Sequence, residues 1–94
     1  MARIVLGGPG PGPEALARVL RDAGHEVVLA GGYDEAGLAA VVLQEDADLV
    51  VTLGGPLDEL LVALADRDVA DVPVVVADPA DLAGTLRRVA AYDG

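Results

Sequence analysis

The sequence predicts an α/β fold: a flavodoxin-like (Rossmann-like) three-layer sandwich around a parallel sheet of about four strands. Two patterns predict it. Short valine-rich apolar runs end in glycine or proline, and they alternate with segments whose apolar residues recur at helical spacing. The length of 94 residues allows one domain, spanning residues 1–94. Right-handed crossover connections favour the strand order 2-1-3-4.

The first half of the chain predicts two strands and two helices. Pro13 and Glu14 suit a first helical turn, where proline loses no bonded N–H and an acid meets the helix dipole. Gly24 is a candidate for the end of that helix, and Asp34 for the N-cap of the next. The predicted elements are a strand Arg3 to Gly7, a helix Pro13 to Gly24, a strand Glu26 to Ala30 closed by Gly31-Gly32, and a helix from Asp34 to about Glu45.

The second half repeats the pattern. A stripe of leucines with the spacing i, i+3, i+4, i+7 indicates one amphipathic helix, and Asp78-Pro79 is expected to begin the last one. The stripe consists of Leu57, Leu60, Leu61 and Leu64. The predicted strands are Asp48 to Leu53 and Pro73 to Ala77. Leu43 is expected to face inward, and the residues expected to be nearly buried are Leu6, Leu16, Leu20, Val28, Val42, Val50, Val51, Leu60, Leu64 and Val75.

Composition and charge exclude several functions. The net charge of −10, with six arginines and no lysine, argues against nucleic acid and anionic membrane partners. No apolar run approaches the ~20 residues of a membrane span and no signal peptide is visible, so we expect a cytoplasmic protein. Cysteine, serine and lysine, the common covalent nucleophiles, are absent, and Thr52 and Thr85 carry the only aliphatic hydroxyls. We therefore predict no catalytic residue.

A metal site is not expected either. His25 is the only histidine, and we expect it to face solvent where the second strand begins. Acidic residues cluster at helix ends, but without the glycine spacing of an EF-hand loop, so we interpret them as solvated helix ends. A receiver domain is also excluded, because the first and third strands end in "LGGPG" and "TLGGP", without carboxylates.

A ligand crevice is predicted where the winding of the sheet reverses, beyond the carboxyl ends of the strands. It would lie between two glycine-rich turns, and Tyr33 is a candidate for its wall. The candidate ligand-binding residues in the turns are Gly8, Gly10, Gly12, Gly54 and Gly55.

A nucleotide fits this crevice poorly. The dinucleotide fingerprint G-x-G-x-x-G would fall on Gly7, Pro9 and Gly12, so its middle glycine is replaced by proline. Gly31 stands where an acid would hold the ribose. We expect Glu14 and Asp58 to flank the crevice and to repel phosphate. A tight turn stiffened by proline is the simpler interpretation.

The phrases "LRDAGHEVV", "LQEDADLVV" and "ALADRDVADVPVVV" resemble, in the same order, the cobalamin-binding domain of the methylmalonyl-CoA mutase family. The resemblance spans roughly Arg3 to Val76 and concerns the scaffold, since these phrases are ends of helices and strands. It implies the same fold and a cofactor-binding ancestor. A corrinoid is therefore the cofactor that the resemblance makes possible.

The family's cofactor motifs are missing. Its D-x-H-x-x-G loop would fall on Gly8 to Pro13, without histidine or aspartate, and its S-x-L motif on Leu53 to Gly55. Its Gly-Gly pair is replaced by Ala77 and Asp78, which makes Asp78 a further candidate lining the crevice. We therefore expect no cofactor, and in particular no cobalamin with a protein histidine on cobalt. His25 cannot substitute, because it lies at the opposite end of the sheet.

Two classes of function remain. One is a non-catalytic, degenerate relative of the mutase domain that pairs with itself or with another protein, such as a mutase-like subunit. The other is a small-ligand module holding a base-on corrinoid or a nucleotide-like molecule in the crevice.

The family carries a fifth strand that we do not find in this sequence, so the uncharged run Val74, Val75 and Val76 is expected to form an open sheet edge and an interface.

Overall fold

The computed structural model describes residues 1–30 and 34–93, and it confirms the predicted α/β fold. Four parallel strands form one sheet in the order β2-β1-β3-β4. Predictions about Gly31, Gly32 and Tyr33 lie outside the described residues. The elements are β1 Arg3–Gly7, α1 Pro13–Asp22, β2 Glu26–Leu29, α2 Glu35–Gln44, β3 Leu49–Thr52, α3 Leu57–Asp66, β4 Val74–Val76 and α4 Leu82–Asp93.

The strand register places the glycine-rich turns together at the carboxyl ends of the strands. In the ladder, Val5 pairs with Val28 on one side and with Val50 on the other. Thr52, which ends β3, pairs with both Gly7 and Val76. Because all strands are parallel, the segments that follow β1, β3 and β4 leave the sheet together.

Alternate strand residues point to two separate apolar cores, as a sheet covered on both faces requires. Helices α1 and α4 pack on one face, where Leu16, Leu20 and Val89 meet Leu6 and Val51. Helices α2 and α3 cover the other face over Val5 and Val50. Among the helices that the structure describes, none has the length and apolar character needed to cross a bilayer.

Nine of the ten residues predicted to be nearly buried are buried. The exception is Val28, which is half-buried because β2 is an edge strand with a neighbour on one side only. The expectation that Leu43 faces inward is wrong, since half of its surface is exposed. In the leucine stripe of α3, Leu60 and Leu64 are buried, whereas Leu61 is 46% exposed. The leucine stripe therefore includes residues that α3 does not bury against the rest of the protein.

The helix starts follow local hydrogen bonding. Asp34 caps α2 as predicted, its carboxylate accepting from the Gly37 N–H at 2.8 Å. The predicted start of the last helix at Asp78-Pro79 is wrong by three residues. Helix α4 begins at Leu82, and Asp81 accepts from the Gly84 N–H at 2.9 Å.

Candidate functional site

The predicted crevice exists between the turns that follow β1 and β3, but it is small. Gly8, Pro9, Gly54 and Gly55 form part of its wall, and the described residues leave a space of about 30 Å³. That space suits one or two water molecules. Sites for drug-sized ligands are about tenfold larger.

The crevice is narrow because the two turns pack against each other. The Gly10 N–H donates to the carbonyl oxygen of Leu53 at 2.7 Å. A Cβ atom on Gly8 would lie 2.7 Å from both the Leu53 nitrogen and the Thr52 Oγ1, and one on Gly55 would lie 2.9 Å from the Pro9 Cδ. Gly8 therefore permits close contact with the backbone of Leu53, and Gly55 permits close contact with the ring of Pro9.

Three of the predicted ligand residues do not line the crevice. Gly10 is hydrogen-bonded to Leu53, the residue after β3. Gly12 lies at the start of α1 with a positive φ of 84° and open space around it. The Asp78 carboxylate forms a hydrogen bond within its own loop, accepting from the Ala80 N–H at 2.9 Å. The structure thus brings Gly8, Gly54 and Gly55 together and leaves Gly10, Gly12 and Asp78 outside.

The acidic residues at the crevice are not the ones expected. Asp34 and Glu35 line it, whereas Glu14 and Asp58 do not. Helix α2 begins beyond the carboxyl ends of the parallel strands. The N-cap pattern at Asp34 was therefore the signal that could have placed Asp34 at the crevice. Two carboxylates at the wall oppose the binding of a phosphate group.

Both aliphatic hydroxyls serve internal turns. The Thr52 hydroxyl donates to the Gly54 carbonyl at 3.1 Å. The Thr85 hydroxyl accepts from the Asp78 N–H and donates to the Asp81 carbonyl, each at 3.1 Å. Both side chains are buried. Neither hydroxyl is therefore presented as a nucleophile.

The expectation that His25 faces solvent is wrong. Its side chain is buried, with 8% of the residue exposed, and its Nδ1 accepts from the Ala2 N–H at 3.2 Å. The ring lies where β2 begins, at the end of the sheet opposite the crevice. Within the described part of the chain, no cluster of three or more His, Asp or Glu side chains is placed to hold a metal ion.

The two edges of the sheet differ in how they are protected. At the β2 edge, the guanidinium of Arg3 on β1 pairs with the carboxylate of Glu26 on β2 at 2.7 Å, and this contact raises the pKa of the Arg3 guanidinium. The Arg21 guanidinium donates to the carbonyl oxygen of Val27 at 3.0 Å. Charged side chains thus occupy the first half of this edge, which is a common protection against strand addition, while Leu29 at its end is exposed.

The β4 edge is apolar. Bonds from the Val50 N–H to the Pro73 carbonyl and from the Ala77 N–H to the Thr52 carbonyl show which residues face β3. Because backbone groups alternate in direction along a strand, Val74 and Val76 direct theirs away from the sheet. Val76 is 42% exposed.

A groove runs along this edge beside α4. It has a volume of about 420 Å³, and its walls are the three β4 valines with Arg88, Ala91 and Tyr92. Tyr92 is 59% exposed. The largest apolar concavity that we describe therefore coincides with the predicted interface residues Val74, Val75 and Val76.

Comparison with known proteins identifies no family. No family model matches this chain, and no curated protein matches it.

Proposed function

We propose that this protein is a non-catalytic interaction module, a degenerate relative of the mutase cobalamin-binding domain, that binds a protein strand along β4. The observation that carries the proposal is the contrast between the two sheet edges. On the β2 edge Arg21 bonds the Val27 carbonyl and Glu26 pairs with Arg3, which leaves Leu29 exposed at the end of the strand, whereas the β4 edge presents valines and outward backbone groups beside a groove. Strand addition at such an edge is an established mode of peptide recognition.

The arrangement of polar groups supports a binding role over catalysis. The two threonine hydroxyls are engaged in turns, and His25 is buried far from the crevice. The resemblance in "LRDAGHEVV" and "LQEDADLVV" supports the relationship to the mutase domain at the level of the scaffold.

The alternative, a corrinoid or nucleotide-like ligand in the crevice, has less support. The turns are joined by the Gly10–Leu53 hydrogen bond, and Asp34 and Glu35 add negative charge at the wall. A ligand of that size would have to separate the turns.

Panning a random-heptapeptide phage library on the protein tests the proposal. The matched variants are Val76→Pro, which removes an outward N–H, and Val76→Thr, which keeps it. Proline is tolerated on edge strands where the N–H faces solvent. We expect selected peptides to bind the wild type and Val76→Thr, and to bind Val76→Pro at least tenfold more weakly.

Circular dichroism and thermal melting verify that both variants are folded. The proposal fails if selected peptides bind Val76→Pro as tightly as the wild type. It also fails if panning enriches no peptide and sedimentation shows a monomer. Binding of hydroxocobalamin in the crevice, altered by Glu35→Gln in a variant that melts like the wild type, would instead favour the ligand module.

A further inference from the structure

The groove beside β4 has a positive charge in a protein whose net charge is −10. Arg88 is the one charged residue among those that line it, as far as the structure describes them. Its guanidinium donates to the Thr85 hydroxyl at 3.3 Å, and among the described side chains it forms no ion pair. Arg88 therefore has donors left for a carboxylate, which it can bind through two parallel hydrogen bonds.

The direction of α4 places the charged and aromatic groups along the edge in a definite order. The Thr85 hydroxyl bonds the Asp78 N–H just beyond β4, so the first half of α4 lies beside the end of that strand. The chain then runs back past Arg88 towards Tyr92. Tyr92 therefore lies nearer the start of β4 than Arg88 does.

The spacing of these two groups matches an extended chain. Arg88 and Tyr92 are four residues apart on one helix, so they share a face and are separated by about 6 Å along its axis. In a β-strand, residues i and i+2 share a face and are about 6.6 Å apart. One side of an added strand can thus contact both groups with alternate residues.

We infer that the partner is an extended segment of another protein that carries a carboxylate and an apolar side chain two residues apart. The carboxylate binds Arg88 and the apolar side chain packs on Tyr92. The segment's backbone bonds the outward N–H and C=O groups of Val74 and Val76 as an added strand. This inference rests on the proposed function and specifies the chemistry of the partner.

A second copy of the chain is a poorer occupant. An antiparallel pair of β4 strands would place a two-fold axis at Val75, with Val74 opposite Val76 of the copy. That axis would set the groove of one copy against the groove of the other, and the described lining residues include no carboxylate for Arg88. Each copy would also add a charge of −10 to the assembly. Like charges brought together in this way disfavour association.

Fluorescence anisotropy with synthetic threonine-rich octapeptides tests the inference. One peptide carries aspartate and leucine two positions apart, a second has asparagine in place of the aspartate, and a third has aspartate and leucine adjacent. The first is made in both orders, because the order that binds reports a parallel or antiparallel strand. We expect the first peptide to bind at least tenfold more tightly than the other two, and more weakly as salt is raised.

Arg88→Gln with the matched control Arg87→Gln completes the test. Both changes remove one charge from α4, but Arg87 does not line the groove. We expect Arg88→Gln to weaken the aspartate peptide about tenfold and Arg87→Gln by less than twofold. Methylation of the peptide's backbone nitrogens should also abolish binding, which tests strand addition without altering the protein.

The outcomes separate the two proposals. If the asparagine peptide binds equally well and still requires an intact Val76 N–H, strand binding stands and the acidic chemistry is wrong. If sedimentation shows a dimer that Val76→Pro abolishes, a second copy occupies the edge and the inference is overturned. If no peptide of either order binds, the inference is overturned, and the library selection decides the proposed function.

Discussion

The amide of Gly10 donates to the carbonyl oxygen of Leu53 at 2.7 Å, which joins the turn after β1 to the end of β3. This bond occupies backbone groups that a phosphate or a corrinoid tail would otherwise meet. The glycine-rich turn therefore stabilises the fold at the place where related architectures bind ligands.

Substitution of the turn glycines should reveal this structural role. Gly8→Ala combines a φ of 103° with close contacts to Leu53 and Thr52, so we expect it to lower the free energy of unfolding by about 3 kcal/mol. Gly12→Ala meets open space at a φ of 84°, and we expect a cost of about 1 kcal/mol. Urea denaturation measures both. Equal costs would mean that the turn moves away from β3 without penalty.

Two adjacent leucines on α3 test the packing of that helix. Leu60→Ala should lower the free energy of unfolding by about 2–5 kcal/mol, because Leu60 is buried in the core beneath α2 and α3. Leu61→Ala should cost less than about 0.5 kcal/mol, since Leu61 is largely exposed. The comparison uses the same side chain on the same helix, so a reversed order would show that the register of α3 is wrong.

Removing the Thr85 hydroxyl should loosen the loop between β4 and α4. Thr85→Val keeps the shape of the side chain but leaves the Asp78 N–H without its acceptor, and we expect a loss of about 1–3 kcal/mol. Hydrogen exchange followed by NMR should show faster exchange at the Asp78 amide. Thr85→Ser retains the hydroxyl and should leave that amide protected. Protection of the amide in Thr85→Val would rule out this hydrogen bond.

The arginine at the β2 edge should act as a barrier to association. Arg21→Ala exposes the Val27 carbonyl, and we expect the solubility limit of the protein to fall. Arg18→Ala removes the same charge from the exposed face of α1 and serves as the control. Solubility in ammonium sulfate measures the difference. If both variants precipitate at the same concentration, net charge and not protection of the edge governs solubility.

Cobalamin should not acquire a protein histidine on cobalt. His25 is buried at the opposite end of the sheet, and its Nδ1 accepts from the Ala2 N–H. We therefore expect the visible spectrum of hydroxocobalamin to lack a histidine-bound form when the protein is added. A histidine-bound spectrum that disappears in His25→Ala would contradict this prediction.

The sequence was a good guide to the scaffold because its signals are local. Valine runs, glycine breaks and the cap at Asp34 each depend on neighbouring residues and predict the elements, and right-handed crossovers then favour the observed strand order. Asp78 shows where local signals are insufficient. Asp-Pro is typical of a helix start, yet Thr85, seven residues later, bonds the Asp78 backbone and α4 begins further on.

The candidate site depended on contacts between distant residues. The sequence predicts that glycines occupy both turns, but the closeness of Gly10 to Leu53 is set by the pairing of β1 with β3. His25 was expected in solvent because it stands where the second strand begins. It is buried because the Ala2 N–H, 23 residues earlier, lies against it.

The unequal edges of the sheet also limit how large an assembly can grow. A chain that adds strands head to tail needs two compatible edges, so that each new copy offers a fresh template to the next. Here the Arg21 guanidinium occupies the Val27 carbonyl on the β2 edge, which leaves β4 as the less protected template. Growth by strand addition would thus stop after one addition, and the proposed complex would have a fixed stoichiometry in place of a fibre.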